Sequence, residues 1–437
     1  MRKFVLVTRE FSGLGFALLN KEDKVIIAKN PDKEKFKDKP EEEEMYNNIG
    51  KGLVKSFDLE DIMKNREKFR EWYFIWDGNH SVEENELLRE EGFKVGLGGE
   101  LPYKMENDRE FGIELAEEHE IESPLWDEFD DADAGIKFID EYPENMYFFK
   151  PNASDESHLT TPPVGDDVKV ANEILKEMLT EIESKEGFIL QKKVIGTEVN
   201  LEYFCVDGEV KSAQINLEVK RISEASLIDG YEKGSLCGCA FDVCRNVELD
   251  NKLVEMTIGK LKPFIKENNY TGFADMNFIL EGDKVWFVEW CWRTGYNAHA
   301  SYFMNISNKD YLNTVADMID GTYELDVKNG WGASVTVYTD HPAKGIPIMP
   351  EVKDGYFLFD GMKGKKSIIQ TGFESGSNEI VIVGGYGDSI AEALENAYEN
   401  VCKLNIVKSD YRSDGLLTDY NSSPIKRYKD LKRKGLV

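Results

Sequence analysis

Short apolar runs and helical segments alternate over the first hundred residues, and this alternation restricts the fold more than any other feature of the sequence. The predicted strands are Lys3 to Thr8, Lys24 to Ala28, Trp72 to Trp76 and Phe93 to Val95. A glycine turn and the apolar segment Phe16 to Leu19 follow the first strand, and Val82 to Glu91 has a helical pattern. Such alternation is typical of a doubly wound parallel α/β sheet, which we expect over residues 1 to 103. The polar stretch from Asn30 to Glu44 is expected to be a surface excursion.

Hairpins and longer helices dominate the pattern after residue 104. Asp207-Gly208 and Glu281-Gly282-Asp283 are turn signals between paired apolar segments, so each predicts a β-hairpin. The predicted strands are Met146 to Lys150, Gly187 to Lys193, Thr197 to Val206, Glu209 to Leu217, Phe273 to Leu280, Lys284 to Trp290, Ala333 to Tyr338 and Glu379 to Gly385. The predicted helices are Glu106 to Glu120, Val168 to Glu183, Leu253 to Lys266 and Ile390 to Leu404. We expect a central domain over residues 104–325 and a small β-rich α+β domain over residues 326–437.

The charge of the chain excludes two classes of partner. Lys and Arg number 54 against 83 Asp and Glu, a formal net charge of −29. Such a field repels nucleic-acid phosphates and anionic lipid headgroups, so we expect neither a nucleic-acid nor a membrane partner. No stretch has the ~20 apolar residues of a membrane span, and the N-terminal apolar run is too short for a signal peptide. The expected location is therefore the cytoplasm.

The densest chemical signal is the segment that ends the second hairpin. Alternate residues of a strand share a face, so Glu289, Cys291 and Arg293 point to the same side. A carboxylate and a guanidinium on one face, next to Gly295, could hold a metal-bound phosphate. A purely structural Glu/Arg pair on a strand fits the same pattern.

The partner strand of this hairpin adds further oxygen ligands. Asp275 and Asn277 share a face by the same parity, and the turn at Gly282 folds them back towards Glu289 and Cys291. Mg²⁺ takes one or two carboxylates and completes its shell with water and nucleotide phosphates. The hairpin therefore predicts a magnesium site.

A second group of residues is suited to a nucleotide. An apolar strand carries Gln191, and Glu198 follows after a glycine turn. The main chain and amide near Gln191 and Val194 could meet an adenine edge, and Glu198 could accept the ribose hydroxyls; an exposed glutamate that opens a strand is the alternative. Lys150 closes a strand where it could hold phosphates, or it is an ordinary solvated strand end.

The order of these motifs resembles that of ATP-grasp ligases, and more narrowly that of phosphoribosylamine-glycine ligase along the whole chain. The similar segments are Val5 to Ala17, Glu106 to Phe111, Glu289 to Gly295, Gly384 to Ala393 with Ala397-Tyr398, and Tyr411 to Asp414. The resemblance implies that the central domain is an ATP-grasp domain. It also implies a monomer that uses ATP with Mg²⁺, or with Mn²⁺ in its place, to join a small-molecule carboxylate and an amine.

The resemblance also implies a role for individual residues. The residues that bind ATP would be Arg109 and Lys150 at the phosphates, Gln191 and Val194 at the adenine, and Glu198 at the ribose. The metal ligands would be Glu289, Asp275 and Asn277. The catalytic residues would be Arg293, Lys150 and Glu289, and the substrate would meet Gly13, Gly15, Asp77 and Arg293.

Three segments depart from the family pattern. Cys291 stands where the family has a metal-binding asparagine, so Asp275 or Asn277 would complete the metal site. The loop Pro151 to His158 replaces a glycine-rich phosphate loop, and Asp229 to Cys239 replaces the family's amino-acid loop. These departures keep two alternatives open beside the synthesis of glycinamide ribonucleotide. One is the same chemistry on another acid and amine, and the other is a non-catalytic ATP-binding protein.

Overall fold

The computed structural model describes most of the 437-residue chain. The described residues are 1–9, 12–20, 22–31, 36–152, 159–182, 187–225, 236–339, 345–348, 355–366, 368–370 and 379–437. Most of the phosphate loop and of the predicted amino-acid loop (residues 153–158 and 226–235) therefore lies outside them.

The N-terminal region is a parallel sheet with helices on both faces. Its elements are β1 (Lys3–Thr8), α1 (Ser12–Leu19), β2 (Lys24–Lys29), α2 (Pro40–Asn48), β3 (Lys55–Asp58), α3 (Leu59–Lys64), β4 (Tyr73–Trp76), α4 (Val82–Glu90) and β5 (Lys94–Gly96). The described strands are all parallel and follow the order β3-β2-β1-β4-β5. Phe4 and Leu6 of β1 pack in one apolar cluster and Val5 and Val7 in another, because successive side chains leave a strand on opposite faces. The predicted parallel sheet is confirmed.

A small antiparallel sheet follows, flanked by helices. The elements are α5 (Glu100–Asn107), α6 (Arg109–Glu118), β6 (Trp126–Phe129), α7 (Ala132–Glu141), β7 (Tyr147–Pro151), α8 (Val168–Glu181) and β8 (Phe188–Lys192). The strand order is β6-β8-β7. The single helix predicted over Glu106 to Glu120 is wrong at its start. Asp108 separates α5 from α6 and caps α6, since its carboxylate accepts the Phe111 N–H at 3.0 Å.

The elements of the middle of the chain are mostly antiparallel strands. They are β9 (Thr197–Val206), β10 (Glu209–Asn216), β11 (Val219–Arg221), β12 (Leu236–Val247), α9 (Lys252–Met256), α10 (Ile258–Glu267), β13 (Gly272–Glu281) and β14 (Lys284–Cys291). Both predicted hairpins are present. The helix predicted over Leu253 to Lys266 is instead two helices, because the backbone at Thr257 leaves the helical conformation.

The last third of the chain adds further strands and the C-terminal helices. The elements are α11 (Tyr296–Ser301), α12 (Tyr311–Ile319), β15 (Trp331–Thr339), β16 (Ile346–Ile348), β17 (Tyr356–Leu358), β18 (Met362–Lys363), β19 (Ile368–Gln370), β20 (Glu379–Gly387), α13 (Ile390–Cys402), β21 (Ser409–Asp410) and α14 (Pro424–Arg433). A π-helical turn, Tyr302–Ile306, continues α11. No helix in the described ranges combines the length and apolar character needed to cross a membrane.

One large antiparallel sheet connects the middle and the end of the chain. Its main path through the described residues is β14-β13-β9-β10-β12-β15-β20-β17, with β11 and β21 paired at the side. The largest apolar cluster contains residues of β9, β13, β15 and β20. The predicted boundary near residue 325 falls before β15, a strand of this same sheet, and the division into three domains stays a prediction.

Candidate functional site

Two rows of polar side chains cross the large sheet. Asp275 of β13 lies opposite Cys291 of β14 and, on the other side, opposite Glu202 of β9. The neighbouring row pairs Asn277 with Glu289 and with Asn200. The alternation of these residues along each strand brings them to one face, because a strand repeats every two residues.

The hairpin β13-β14 brings side chains of the two rows close to each other. Asn277 Nδ2 lies 3.5 Å from Asp275 Oδ2 and 3.5 Å from Cys291 Sγ. The register shifts after Asn277, since Phe278 pairs with Phe287, and Val288 is the extra residue of this bulge. The structure brings Asp275, Asn277 and Glu289 together as predicted, and the extra residue Val288 is needed for this, because the turn pairs Glu281 with Lys284 and a regular register would place Asn277 opposite Val288.

Lys150, at the end of β7, enters the same region from the small sheet. Its Nζ donates to Gln191 Oε1 of β8 at 2.7 Å and to the Val288 carbonyl at 3.4 Å. Gln191 is 4% exposed, and its Nε2 has no hydrogen-bond partner among the described residues. Burial lowers the pKa of Lys150 to about 8, and the neighbouring cations Arg109 and Lys220 also disfavour its charge.

Arg293 follows β14 and is fixed by α5. Its Nε donates to Glu106 Oε1 at 2.6 Å, while Asn79 Nδ2 donates to the other Glu106 oxygen at 2.7 Å. Asn79 also donates to the Trp292 carbonyl at 3.3 Å. The nearby Glu106 carboxylate raises the pKa of Arg293 well above its ordinary value, so Arg293 is a permanent cation. This chain of contacts joins the carboxyl edge of the parallel sheet to the hairpin.

Lys220 of β11 is the cation that the carboxylates share, and it is not among the site residues predicted from the sequence. Its Nζ lies 3.1 Å from Glu198, 3.7 Å from Glu218 and 3.8 Å from Glu289, and donates to Asn277 Oδ1 at 3.3 Å. Glu218 and Lys220 are two residues apart beside a strand, and this spacing is the signal that could have found them.

Charge interactions tune the carboxyl groups of the site in opposite directions. Burial disfavours the ionised form of Glu289, but Lys220, Lys150, Arg109 and Arg293 outweigh it and lower its pKa. Burial raises the pKa of Asp275 well above its ordinary value, and the carboxylates of Glu202 and Glu218 add to this effect. Glu289 is thus the preformed anion of the hairpin.

Two cavities meet at these residues. The first cavity has a volume of about 230 Å³, and its polar lining includes Glu106, Arg109, Lys150, Gln191, Glu289 and Arg293. The second cavity has a volume of about 300 Å³, and its lining includes Asn200, Glu202, Glu218, Lys220, Asp275, Asn277, Tyr296, Phe359 and Glu379. Glu289, Cys291 and Arg293 line both cavities. The first cavity therefore combines cations with an apolar wall that includes Ile113, Ile189 and Phe287, while the second is rich in carboxyl groups.

The residues present fit a magnesium nucleotide. Asp275 Oδ1 is buried without a hydrogen-bond partner among the described residues, and Glu289 lies on the neighbouring strand. No group of three His, Cys, Asp or Glu side chains that could hold a metal ion occurs within the described ranges. Mg²⁺ does not require one, because it usually keeps several waters and uses substrate phosphates as ligands. The free Nε2 of Gln191 supplies a donor that an adenine or phosphate acceptor could use.

The other residues predicted to bind the nucleotide lie at different distances from the first cavity. Arg109 lines it and donates from Nε to the Pro151 carbonyl at 3.1 Å, at the start of the phosphate loop. Glu198 is paired with Lys220, which lines the second cavity. Val194 is half-buried on the connection between β8 and β9. Their nucleotide contacts stay predictions.

The residues predicted to meet the substrate lie at the carboxyl edge of the parallel sheet. The Gly13 N–H donates to Asp77 Oδ2 at 3.1 Å, and His80 Nε2 lies 3.0 Å from Asp77 Oδ1. Gly15 packs against Phe357, since a Cβ on Gly15 would come within 2.4 Å of that ring. These positions connect the parallel sheet to β17, and a role in substrate binding stays a prediction.

His299 of α11 is a further buried residue that supports the site. Its Nδ1 accepts the Gly295 N–H at 2.8 Å, and its Nε2 lies 2.7 Å from Glu202 Oε1. Gln214 Nε2 donates to the other Glu202 oxygen at 2.6 Å. These contacts hold the loop after Arg293 against β9.

Comparison with known proteins gives relatives of low identity that share the fold. A phosphoribosylamine-glycine ligase of Fusobacterium nucleatum is 20% identical over 328 residues, which are 71% of this chain and 75% of that protein. The crystal structure of phosphoribosylamine-glycine ligase from Thermotoga maritima has a TM-score of 0.67 at 15% identity, and covers 94% of this chain and 99% of its own. Biotin carboxylase of Campylobacter jejuni has a TM-score of 0.66 at 13% identity, with 98% and 99% covered. No family model matches the chain.

The resemblance predicted from the motifs is confirmed by these comparisons. The chain is similar to phosphoribosylamine-glycine ligase in sequence and fold, and its mixed arrangement of a parallel sheet and a large antiparallel sheet is that of ATP-grasp proteins.

Proposed function

We propose that this chain is an ATP-dependent, ADP-forming carboxylate-amine ligase that uses Mg²⁺. The observation that carries the proposal is the convergence of Arg109, Lys150, Glu289 and Arg293, from separate parts of the chain, on the first cavity. Three cations and a carboxylate beside an apolar wall suit a metal-bound triphosphate. The ATP-grasp fold and the named ligase relatives support the same reading.

Each of these residues has a role in the proposed reaction. Lys150 and Arg109 bind phosphate oxygens, and Glu289 with Asp275 and Asn277 would hold Mg²⁺, which neutralises charge on the phosphates when bound. A substrate carboxylate oxygen attacks the γ-phosphorus, the bond to the bridging oxygen breaks, and ADP leaves with its electron pair. The amine nitrogen then attacks the acyl carbon, inorganic phosphate leaves, and the nitrogen loses a proton. Arg293 stabilises the transferring phosphoryl group by charge, and no nucleophilic side chain is needed.

Glycine and phosphoribosylamine are the substrate pair that the relatives' names suggest, with glycinamide ribonucleotide as product in purine biosynthesis. A second candidate is the same reaction on a different acid and amine. The carboxyl-rich lining of the second cavity favours it, because carboxylates repel a phosphorylated substrate.

The experiment measures ADP release by the purified protein with ATP and Mg²⁺. Glycine and freshly generated phosphoribosylamine are supplied together and then each alone. Turnover that requires both identifies the purine-pathway reaction. If the protein binds ATP but does not turn over this pair, the result favours the second candidate. If it does not bind ATP, the result contradicts the proposed function itself.

A further inference from the structure

A serine, a histidine and an aspartate form a chain of contacts at the carboxyl edge of the parallel sheet. Ser81 Oγ lies 3.1 Å from His80 Nδ1, and His80 Nε2 lies 3.0 Å from Asp77 Oδ1. Asp77 and His80 are buried, whereas Ser81 is half-buried. The groups follow the order of a Ser-His-Asp triad, with the two ring nitrogens exchanged relative to the serine proteases. Either nitrogen of a neutral imidazole can be the acceptor.

Further contacts hold both ends of this chain. Asn30 Nδ2 donates to Ser81 Oγ at 2.6 Å, which leaves the hydroxyl proton for His80. At the other end, the Gly13 N–H donates to Asp77 Oδ2 at 3.1 Å. Asn30 follows β2, Gly13 lies in α1 after β1, and Asp77 follows β4. Three neighbouring parallel strands therefore fix the relative positions of these groups.

The backbone of Ser81 directs its hydroxyl away from the helix that follows. Its φ of 51° and ψ of 46° are in the left-handed region, which is unfavourable for a residue with a Cβ. Ser81 is the N-cap of α4, yet its hydroxyl accepts no N–H of this helix. The first N–H groups of a helix have no partner within it. At α4 they are donors next to Ser81, where they can stabilise a negatively charged oxygen.

A cavity of about 670 Å³ opens at this serine, and we call it the third cavity. Its described lining includes Asn30, His80, Ser81, Val82 and Tyr103. Its size is that of a site for small molecules. Asn79 also lines it and donates to Glu106, which lines the first cavity. The serine therefore has a space of its own beside the proposed ATP site.

We propose that the third cavity is a second catalytic site, at which Ser81 hydrolyses a carboxylic ester. This reaction goes beyond the ligase function and needs no ATP. His80 is the general base, and Asp77 is a positioning residue that keeps the imidazole proton on Nε2. Ser81 Oγ attacks the acyl carbon, and the hydroxyl proton passes to His80 Nδ1. The bond to the alkoxy oxygen then breaks, and the leaving alcohol takes this proton.

Water completes the proposed reaction. A water oxygen attacks the acyl carbon of the acyl-serine, and His80 Nδ1 takes one proton of the water. The bond to Ser81 Oγ breaks, Oγ recovers its proton from His80, and a carboxylic acid leaves. The N–H groups at the start of α4 would stabilise the oxyanion of both tetrahedral intermediates.

Covalent labelling of the full chain, without ATP, is the first test. A fluorophosphonate phosphonylates an activated serine as fluoride leaves, and mass spectrometry of the peptides identifies the labelled residue. We expect Ser81 to react at least about 100-fold faster than Ser409, an exposed serine of β21, because only Ser81 has a neighbouring base. Ser81→Gly should abolish this label.

Hydrolysis of p-nitrophenyl acetate is the second test. Ser81→Gly removes the hydroxyl and suits the left-handed backbone, so it should fold and should lower kcat at least about 100-fold. Ser81→Ala is a second variant without the hydroxyl. Asp77→Asn should lower kcat at least about 100-fold with an unchanged KM, because the imidazole then takes the wrong tautomer. Ser409→Ala is the matched control and should leave kcat and KM unchanged.

The outcomes separate this inference from the proposed function. A wild-type protein that is not labelled at Ser81 overturns the inference, and so does equal hydrolysis by the wild type and a folded Ser81 variant. Asp77→Asn with wild-type kcat overturns the role of Asp77. None of these results touches the ligase, because ATP is absent from both tests. A failure to bind ATP contradicts the ligase and leaves the serine reaction standing.

Discussion

At the scale of single residues, Lys150 combines a buried position with a need for charge. Burial lowers its pKa to about 8, whereas phosphate oxygens in the first cavity would favour the protonated form. Gln191 can accept a hydrogen bond from either protonation state of the amine, so it does not fix the charge. When the pH of the solution is above the pKa of Lys150 in the free protein, phosphate binding is therefore expected to be coupled to the uptake of a proton by Lys150.

Nucleotide affinity should accordingly fall as the pH rises. Above pH 8 the free protein holds Lys150 neutral, and binding must add a proton, which weakens the apparent affinity by up to about tenfold per pH unit. We expect roughly a thirtyfold loss in affinity for an ATP analogue between pH 7 and 9.5, measured by titration. Lys150→Arg should flatten the profile, since the guanidinium stays charged over this range. A wild-type profile as flat as that of the variant contradicts the assignment.

Glu289 is the carboxylate on which the predicted metal site depends most. Four cations lower its pKa, so it is ionised at neutral pH and ready to bind Mg²⁺. Glu289→Gln keeps the shape of the side chain but removes the charge, and metal binding of this kind contributes several kcal/mol. We expect kcat to fall at least about 100-fold, measured as ADP release once a substrate pair is found. Full activity in the variant would count against the metal site.

At the scale of elements, the sequence predicted the hairpin that carries the site but not all of the residues around it. The turn at Gly282 predicted the hairpin, but Asn277 lies opposite Glu289 because Val288 is an extra residue in β14, and the sequence pattern did not predict this bulge. The strand β12 was missed, because it contains small residues and is largely buried, so that it lacks the alternation of a half-exposed strand. Lys220 and Glu106 were not selected, because their partners are distant in sequence and only the tertiary fold brings them near.

The contact between β20 and α13 depends on a glycine. A Cβ on Gly385 would lie 2.3 Å from both the Ala393 carbonyl oxygen and the Ala397 nitrogen, which are backbone atoms of the helix. Gly385→Ala must push the helix away from the sheet, and we expect a loss of about 2–3 kcal/mol in the free energy of unfolding, measured with urea.

Gly238→Ala is the control for this substitution. Gly238 lies in β12, and a Cβ there would have no described atom within 4 Å. The free energy of unfolding of the Gly238→Ala variant should stay within about 0.5 kcal/mol of the wild-type value. Equal stability of the two variants would show that α13 can move away from β20 without a loss in the free energy of unfolding.

At the scale of the whole molecule, residues far apart in sequence are held in one sheet. The predicted site residues extend from Gly13 to Arg293, yet the large sheet continues through β15 and β20 into the C-terminal third. The sequence pattern predicted many of the strands but not β12, and the pairing of β12 with β15 depends on packing between distant segments.

The C-terminal helix α14 is anchored directly beneath the site. Arg427, which is 3% exposed, donates to the Glu198 carbonyl at 3.0 Å and to the Glu218 carbonyl at 2.6 Å. Asp430 accepts from Thr197 Oγ1 at 2.9 Å. One helix thus fixes the starts of the segments that carry Glu198 and Glu218, two carboxylates that share Lys220.

Arg427→Met should therefore weaken both the fold and the site. Methionine keeps much of the apolar volume but leaves two buried carbonyl oxygens without these donors, so we expect a loss of about 2–4 kcal/mol in urea unfolding. Affinity for an ATP analogue should also fall, because Glu198 loses its anchor. Lys429→Met changes an exposed residue of the same helix and should alter stability by no more than about 0.5 kcal/mol. If the two variants are equally stable and bind the analogue equally well, the helix is only a covering element, and the site is held by the sheet alone.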